Sequence, residues 1–235
     1  IEVIEFTVKH VNKRVPVIAG TGANSTQEAI DLSEESRLKG ADFVLLVTPY
    51  YNKPNQKGLI AHYEQIANSV EINQILYNVP SRTACDLLPE SVKVLSDHQN
   101  IVGIKEASGS LVQVSEIIDS CGPDFEVISG EDALTWPILA IGGKGTISVT
   151  ANLVPDKCAK MCRAAREGDV DKAKELHYEL LKLNDILFIE TNPIPVKAAL
   201  ALMGLIQNEF RPPLCAPNEE HLSQLKAVLE TYELL

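Results

Sequence analysis

Paired cysteines, metal-type histidine spacings and long apolar runs are all missing from this chain of 235 residues. Its five cysteines are an odd number, include no CxxC pair and lack the spacing of a disulfide framework. None of the five histidines sits in an HExxH segment, so no common zinc motif is present. Buried free thiols in a reducing, cytoplasmic setting are therefore expected, with Cys158 and Cys162 sharing one face of a predicted helix. The apolar runs are short, Phe43–Val47 being typical, against the ~20 residues that cross a bilayer. The segment after Ile1 already carries Glu2, Glu5 and Lys9, which is not the pattern of a signal peptide. Positive charge is scarce as well: 21 Lys+Arg against 32 Asp+Glu give a formal charge of −11. An acidic chain repels phosphate backbones, so neither nucleic acid nor a membrane is an expected partner.

What is present is the balance of a globular protein, with 45% hydrophobic and 23% charged residues. Short β-branched runs at 15–19, 43–47, 74–77, 101–105, 125–129 and 145–149 alternate with amphipathic stretches at 26–39, 56–70, 89–97, 111–120 and 131–141. Ser25 and Thr26 offer caps for the first of these and Gly40 ends it, while Pro89 suits a first helical turn. Such spacing predicts βαβ crossovers and a parallel sheet. From 155 onward the pattern is helical only, at 155–167, 170–188, 195–205 and 218–232. Doubly wound sheets and (β/α)8 barrels both alternate in this way, so the placement of polar residues decides. Gly20-Thr21-Gly22, Thr48-Pro49-Tyr50-Tyr51-Asn52, Tyr77-Asn78-Val79-Pro80-Ser81-Arg82, Lys105-Glu106 and Ser129-Gly130-Glu131 all follow strands. Chemistry spread over many strand ends is a property of the barrel's top face, whereas a doubly wound sheet gathers it at one switch point. The expected fold is an α/β TIM barrel, (β/α)8, lacking its first two strands in this chain. Its incomplete barrel is expected over 1–154, with the last barrel helix and a C-terminal helical extension over 155–235. Ile1, Ile4, Val8 and Val11 share one helical face, so the chain is expected to start inside a helix, processed or part of something longer.

Lys105 ends an apolar strand in which Ile101, Gly103 and Lys105 share a face. In a dry barrel mouth its ammonium form is destabilised, which leaves a nucleophilic amine suited to Schiff-base chemistry; a salt bridge to a neighbouring strand is the other outcome. Tyr77 sits at the same depth on the preceding strand, and strands ~4.8 Å apart let an inward phenol reach that amine and move protons. Arg82 follows on a loop fixed by Pro80 and presents a planar guanidinium suited to a carboxylate, or else remains a surface arginine. The adjacent Tyr50 and Tyr51 point in different directions, so one can face the site and the other a partner subunit. The glycines at 20 and 22 lack the third glycine of a dinucleotide fingerprint, Ser25 standing in its place. Likewise, Gly142-Gly143-Lys144-Gly145-Thr146 reads as a tight turn rather than a phosphate loop.

Taken in order, Pro16–Asn24, Thr48–Asn52, Tyr77–Thr83, Gly103–Ala107 and Gly145–Asn152 closely resemble the 4-hydroxy-tetrahydrodipicolinate synthases, also called dihydrodipicolinate synthases. The likeness runs from Ile1 to Leu235, and the Tyr-Asn-Val-Pro-Ser-Arg-Thr segment separates this family from related pyruvate-dependent aldolases. The resemblance implies a lyase of lysine and diaminopimelate biosynthesis, without cofactor or metal, that joins pyruvate to L-aspartate 4-semialdehyde through a lysine imine. It assigns Lys105 to the imine, Tyr77 to proton relay and Tyr51 to a neighbouring subunit's relay. It also gives Arg82 the semialdehyde's carboxylate, and Gly130 and Ile147 the pyruvate pocket. Homotetramers, and inhibition by L-lysine at Asn24, Glu28 and Tyr50, complete the expectation. The family's Gly-Thr-Thr-Gly-Glu loop is not found in this sequence, so another aldolase of the superfamily and an inactive remnant are the competing readings.

Overall fold

The first two helices begin in different ways. Glu2–Val11 (α1) carries Glu2 and Glu5 in its opening turn and buries none of its side chains. Thr26–Leu38 (α2) is capped by Ser25, whose hydroxyl accepts from the Glu28 amide at 3.4 Å. Strand Ile18–Gly20 (β1) lies between them. It starts later than the expected 15–19 because Pro16 has no N–H to give a ladder, and the Val17 amide donates to Asp42 Oδ2 at 2.7 Å instead.

Phe43–Val47 (β2) and Gln56–Ser69 (α3) follow, the helix capped by Asn55 through the Gly58 amide at 2.9 Å. Asn73–Asn78 (β3) leads into a single helical turn, Pro80–Thr83 (α4), where a plain loop was expected, with Pro80 in its first position. Pro89–Ser96 (α5), Ile101–Glu106 (β4), Leu111–Cys121 (α6) and Glu126–Ser129 (β5) complete this part of the chain. The strands pair in parallel and in chain order, β1 with β2 through to β4 with β5. One irregularity interrupts the register, at Gln74 and Ile75. Leu46, Leu76, Ile104 and Val127 stand opposite one another across four strands and are all buried, which makes a continuous aliphatic row.

The structure, a computed structural model, describes all 235 residues, which gather into two compact units. The first is Ile1–Gly130 with Ile141–Lys144; the second is Glu131–Ala140 with Gly145–Leu235. Within the second unit the expected helix 131–141 is split into a 3-10 turn, Asp132–Leu134, and Thr135–Ala140 (α7). The strand expected at 145–149 shortens to Gly145–Thr146 (β6). A buried carboxylate accounts for the shortening: Asp132 Oδ2 accepts from the amides of Val149 and Thr150, at 2.8 and 3.2 Å, and turns the chain into Thr150–Asn152. Pro155–Glu167 (α8), Val170–Ile186 (α9), Ile194–Leu202 (α10) and Glu219–Thr231 (α11) close on their own core of Met161, Leu180, Leu183, Val196, Leu225 and Leu229. The expectation of buried thiols holds for Cys85 and Cys158 only, since Cys215 is exposed and Cys121 and Cys162 lie between. Burial pushes the Cys158 thiol up to about 11, so it is not a nucleophile at neutral pH. No helix is long and apolar enough to cross a membrane.

His62 joins α3 to α2. Its Nδ1 pairs with Thr26 Oγ1 at 2.9 Å, while Nε2 is buried without a partner. With nothing to accept a second proton, burial lowers its pKa from 6.5 to about 4. Between those values the unfolded chain takes up a proton that the folded chain refuses, so stability falls as pH drops through this window. Thermal melts of wild type and His62→Asn between pH 7 and 4 are expected to differ in slope, the variant losing a component on the order of 2 kcal/mol. Parallel curves overturn the assignment.

Candidate active site

Alternation along parallel strands decides which side chains meet at their ends. Val47, Tyr77, Lys105 and Ile128 stand opposite one another in register and are all partly buried, on the face opposite the aliphatic row. Tyr77 and Lys105 are therefore direct cross-strand partners, as their shared depth in the sequence predicts. Lys105 Nζ lies 4.2 Å from the centroid of the Tyr77 ring, so the amine sits over the ring face. The ring quadrupole attracts a cation there and holds the flexible lysine stem in one place.

Gly130 supplies the room for that stem. Its amide donates to Glu106 O at 2.8 Å, which brings its backbone beside β4. A Cβ at this position would stand 2.8 Å from Lys105 Cε, 3.1 Å from Lys105 Cγ and 2.8 Å from Ala107 Cβ. Tyr77, Lys105 and Gly130 are thus brought together.

One residue further along, the strands place a polar row on the opposite face. Asn78 pairs in register with Glu106 and Glu106 with Ser129, and all three are buried. Asn78 Nδ2 donates to Asp86 Oδ1 at 2.7 Å and to Glu106 Oε2 at 3.1 Å, while Asn78 Oδ1 accepts from the Leu87 amide at 3.0 Å. Glu106 Oε1 accepts from the Ser108 amide at 2.6 Å. Burial raises the Glu106 pKa most strongly; bonds from Ser108 and Asn78 lower it, and the nearby Asp86 charge raises it again. Asn78 and Glu106 lie within the Tyr77–Thr83 and Gly103–Ala107 segments, but the one signal for this network in the sequence is a polar residue directly after each of Tyr77 and Lys105.

Arg82 is exposed on α4, directly after β3. Its neighbour Thr83 is buried and anchors that turn, accepting from Thr48 Oγ1 at 3.2 Å and donating to Cys85 O at 2.9 Å.

The model of the "Dihydrodipicolinate synthetase family" matches residues 1–232. The chain belongs to that family. It is 54% identical over 234 residues to a 4-hydroxy-tetrahydrodipicolinate synthase from Thermodesulfovibrio yellowstonii, covering all of this chain and 80% of that relative. A crystal structure of a dihydrodipicolinate synthase from Acinetobacter baumannii complexed with pyruvate matches with a TM-score of 0.98 and 45% identity, over 100% of this chain and 80% of that one. A structure from Cyanidioschyzon merolae with lysine bound matches with a TM-score of 0.91 and 39% identity, over 94% of this chain and 75% of that one.

The remaining residues singled out on the family pattern stand on other elements. Tyr51 follows β2 in a left-handed conformation, φ 73°, and is 90% exposed. Asn24 and Tyr50 adjoin each other, with Asn24 Nδ2 donating to Tyr50 O at 3.2 Å and Asn52 Nδ2 returning a bond to Asn24 O at 2.8 Å. Glu28 is exposed in the first turn of α2. Ile147 is half-buried just after β6, in the second compact unit.

Substituting Gly130 tests the geometry directly. A crystal structure of Gly130→Ala is expected to show Lys105 in another rotamer, with Nζ beyond the ~6 Å reach of the Tyr77 ring. An unchanged contact overturns the role given to the glycine.

Proposed function

We propose that this chain catalyses the condensation of pyruvate with L-aspartate 4-semialdehyde, as a lyase of lysine and diaminopimelate biosynthesis, with Lys105 as the nucleophile. The placement of Lys105 Nζ over Tyr77, beside a glycine, carries the reading. The neutral amine attacks the ketone carbon of pyruvate, and the carbinolamine loses water to give an iminium. Loss of a methyl proton turns this into an enamine, whose carbon attacks the aldehyde carbon of the semialdehyde. The semialdehyde's amino group then adds to the iminium carbon and displaces the Lys105 amine, closing the ring of 4-hydroxy-tetrahydrodipicolinate. One water is released overall.

Tyr77 moves the protons at carbinolamine loss and enamine formation, and Gly130 and Ile147 line the pyruvate pocket. Arg82 binds the semialdehyde's carboxylate, for which a planar guanidinium on a fixed turn is suited. Tyr51, exposed after β2, completes the relay in a neighbouring copy, within a homotetramer. Asn24, Glu28 and Tyr50 form the site for inhibitory L-lysine. The parallel strands are six of the eight in a (β/α)8 barrel, in a cytoplasmic enzyme that uses no cofactor. The solved relatives with pyruvate and with lysine bound support pyruvate as a substrate and L-lysine as a ligand.

Borohydride trapping with pyruvate, read by peptide mass, is expected to label Lys105 in wild type and to give no adduct in Lys105→Ala. In a coupled assay with both substrates, Tyr77→Phe is expected to lose about 100-fold in kcat while keeping its fold. An unlabelled Lys105 overturns the imine, and undiminished turnover in Tyr77→Phe overturns the relay.

A further inference from the structure

Residues 84–88 form a short segment between Arg82's turn and α5, and side-chain amides from three elements hold it. Asn78, at the end of β3, accepts from the Leu87 amide at 3.0 Å and donates to Asp86 Oδ1 at 2.7 Å. Gln113, on α6, donates to the same Asp86 Oδ1 at 3.0 Å. Gln56, on α3, donates to Asp86 O at 2.8 Å and accepts from the Leu88 amide at 3.2 Å. Only Asn78 also reaches the lysine strand, through Glu106 Oε2 at 3.1 Å. Both Asn78 protons and its carbonyl oxygen are thereby used, in a position with no solvent exposure.

We propose that Asn78 and Glu106 are positioning residues that fix the turn carrying Arg82 relative to the strand carrying Lys105, and so set the binding of the second substrate's carboxylate. The chain between Asn78 and Leu87 closes on itself through one side chain, with Arg82 near its middle. Glu106 ties that closed loop to β4 one residue beyond Lys105, and its other oxygen accepts from the Ser108 amide as the chain leaves the strand. Glutamine at 106 keeps an acceptor for the Ser108 amide but turns a donor toward Asn78 Nδ2, so the side-chain link is lost with little change in volume, while the backbone pairing of Asn78 with β4 remains. Lys105 itself is held by the strand ladder and by Tyr77, neither of which passes through the Asn78 amide. Loosening the link therefore moves the guanidinium and leaves the amine in place.

The inference rests on the assignment of Arg82 to the semialdehyde's carboxylate, and its test separates the two. Steady-state kinetics with each substrate varied, together with pyruvate trapping, are measured for Glu106→Gln, Gln113→Leu and Arg82→Ala. Glu106→Gln is expected to raise KM for the semialdehyde about tenfold, and Gln113→Leu about threefold, with KM for pyruvate and the extent of trapping within twofold of wild type. A general loss of folded enzyme lowers the apparent kcat and leaves both KM values unchanged; that result, or equal shifts in both KM values, overturns the inference. Should Glu106→Gln fail to fold, Glu106→Asp, whose shorter side chain no longer spans to both Asn78 Nδ2 and the Ser108 amide, decides on the same criteria. An Arg82→Ala enzyme with an unaltered KM for the semialdehyde instead overturns the underlying assignment of Arg82.

Discussion

Parallel register is the constraint on which the rest of this site depends. Tyr77 and Lys105 are 28 residues apart, ~95 Å of fully extended chain, and only the β3–β4 pairing sets them side by side. A slip of one residue would exchange them with Asn78 and Glu106, moving the amine among the helices and a carboxylate into its place. The aliphatic row Leu46, Leu76, Ile104 and Val127 prevents that slip, because the same shift would drive four buried side chains to the other face. Packing on one face of the sheet thus fixes chemistry on the other.

Polar groups do comparable work next to the site. The segment 84–88 has no ladder of its own, yet the Leu87 and Leu88 amides and the Asp86 carbonyl are all met by side-chain amides. Leaving one such group buried and unmet costs about 1–3 kcal/mol, which makes Asn78 and Gln56 structural as well as orienting. Thr83 adds a hydroxyl link from α4 to Thr48 at the end of β2. Arg82 consequently projects from a turn anchored on several sides rather than from a free loop.

Much of this was legible in the sequence. The runs at 43–47 and 101–105 show as strands because nothing polar interrupts them, and helix starts follow from Ser25 and Pro89. The shared parity of Tyr77 and Lys105 is counted off directly, and the motifs around them carry the resemblance to the family. What could not be read depends on contacts between distant residues. The shortening of β6 is caused by Asp132, thirteen residues before it, and the single turn at α4 is stabilised by Thr48 from another strand. The Asn78–Glu106 link spans 28 residues and leaves no periodic trace, since its members are polar residues buried where alternation anticipates apolar ones.

The vacancy left by the missing side chain at Gly130 has a consequence for how this protein can vary. The methyl of Ala107 and the stem of Lys105 approach that vacancy from two sides, each 2.8 Å from where a Cβ would be. Enlarging residue 130 would need relief at 107, but the alanine can shrink only to glycine, and that change loosens the exit from the lysine strand. The two positions are therefore coupled in descent: drift at one is tolerated only with compensation at the other, and the reach of the amine is inherited as a property of the pair.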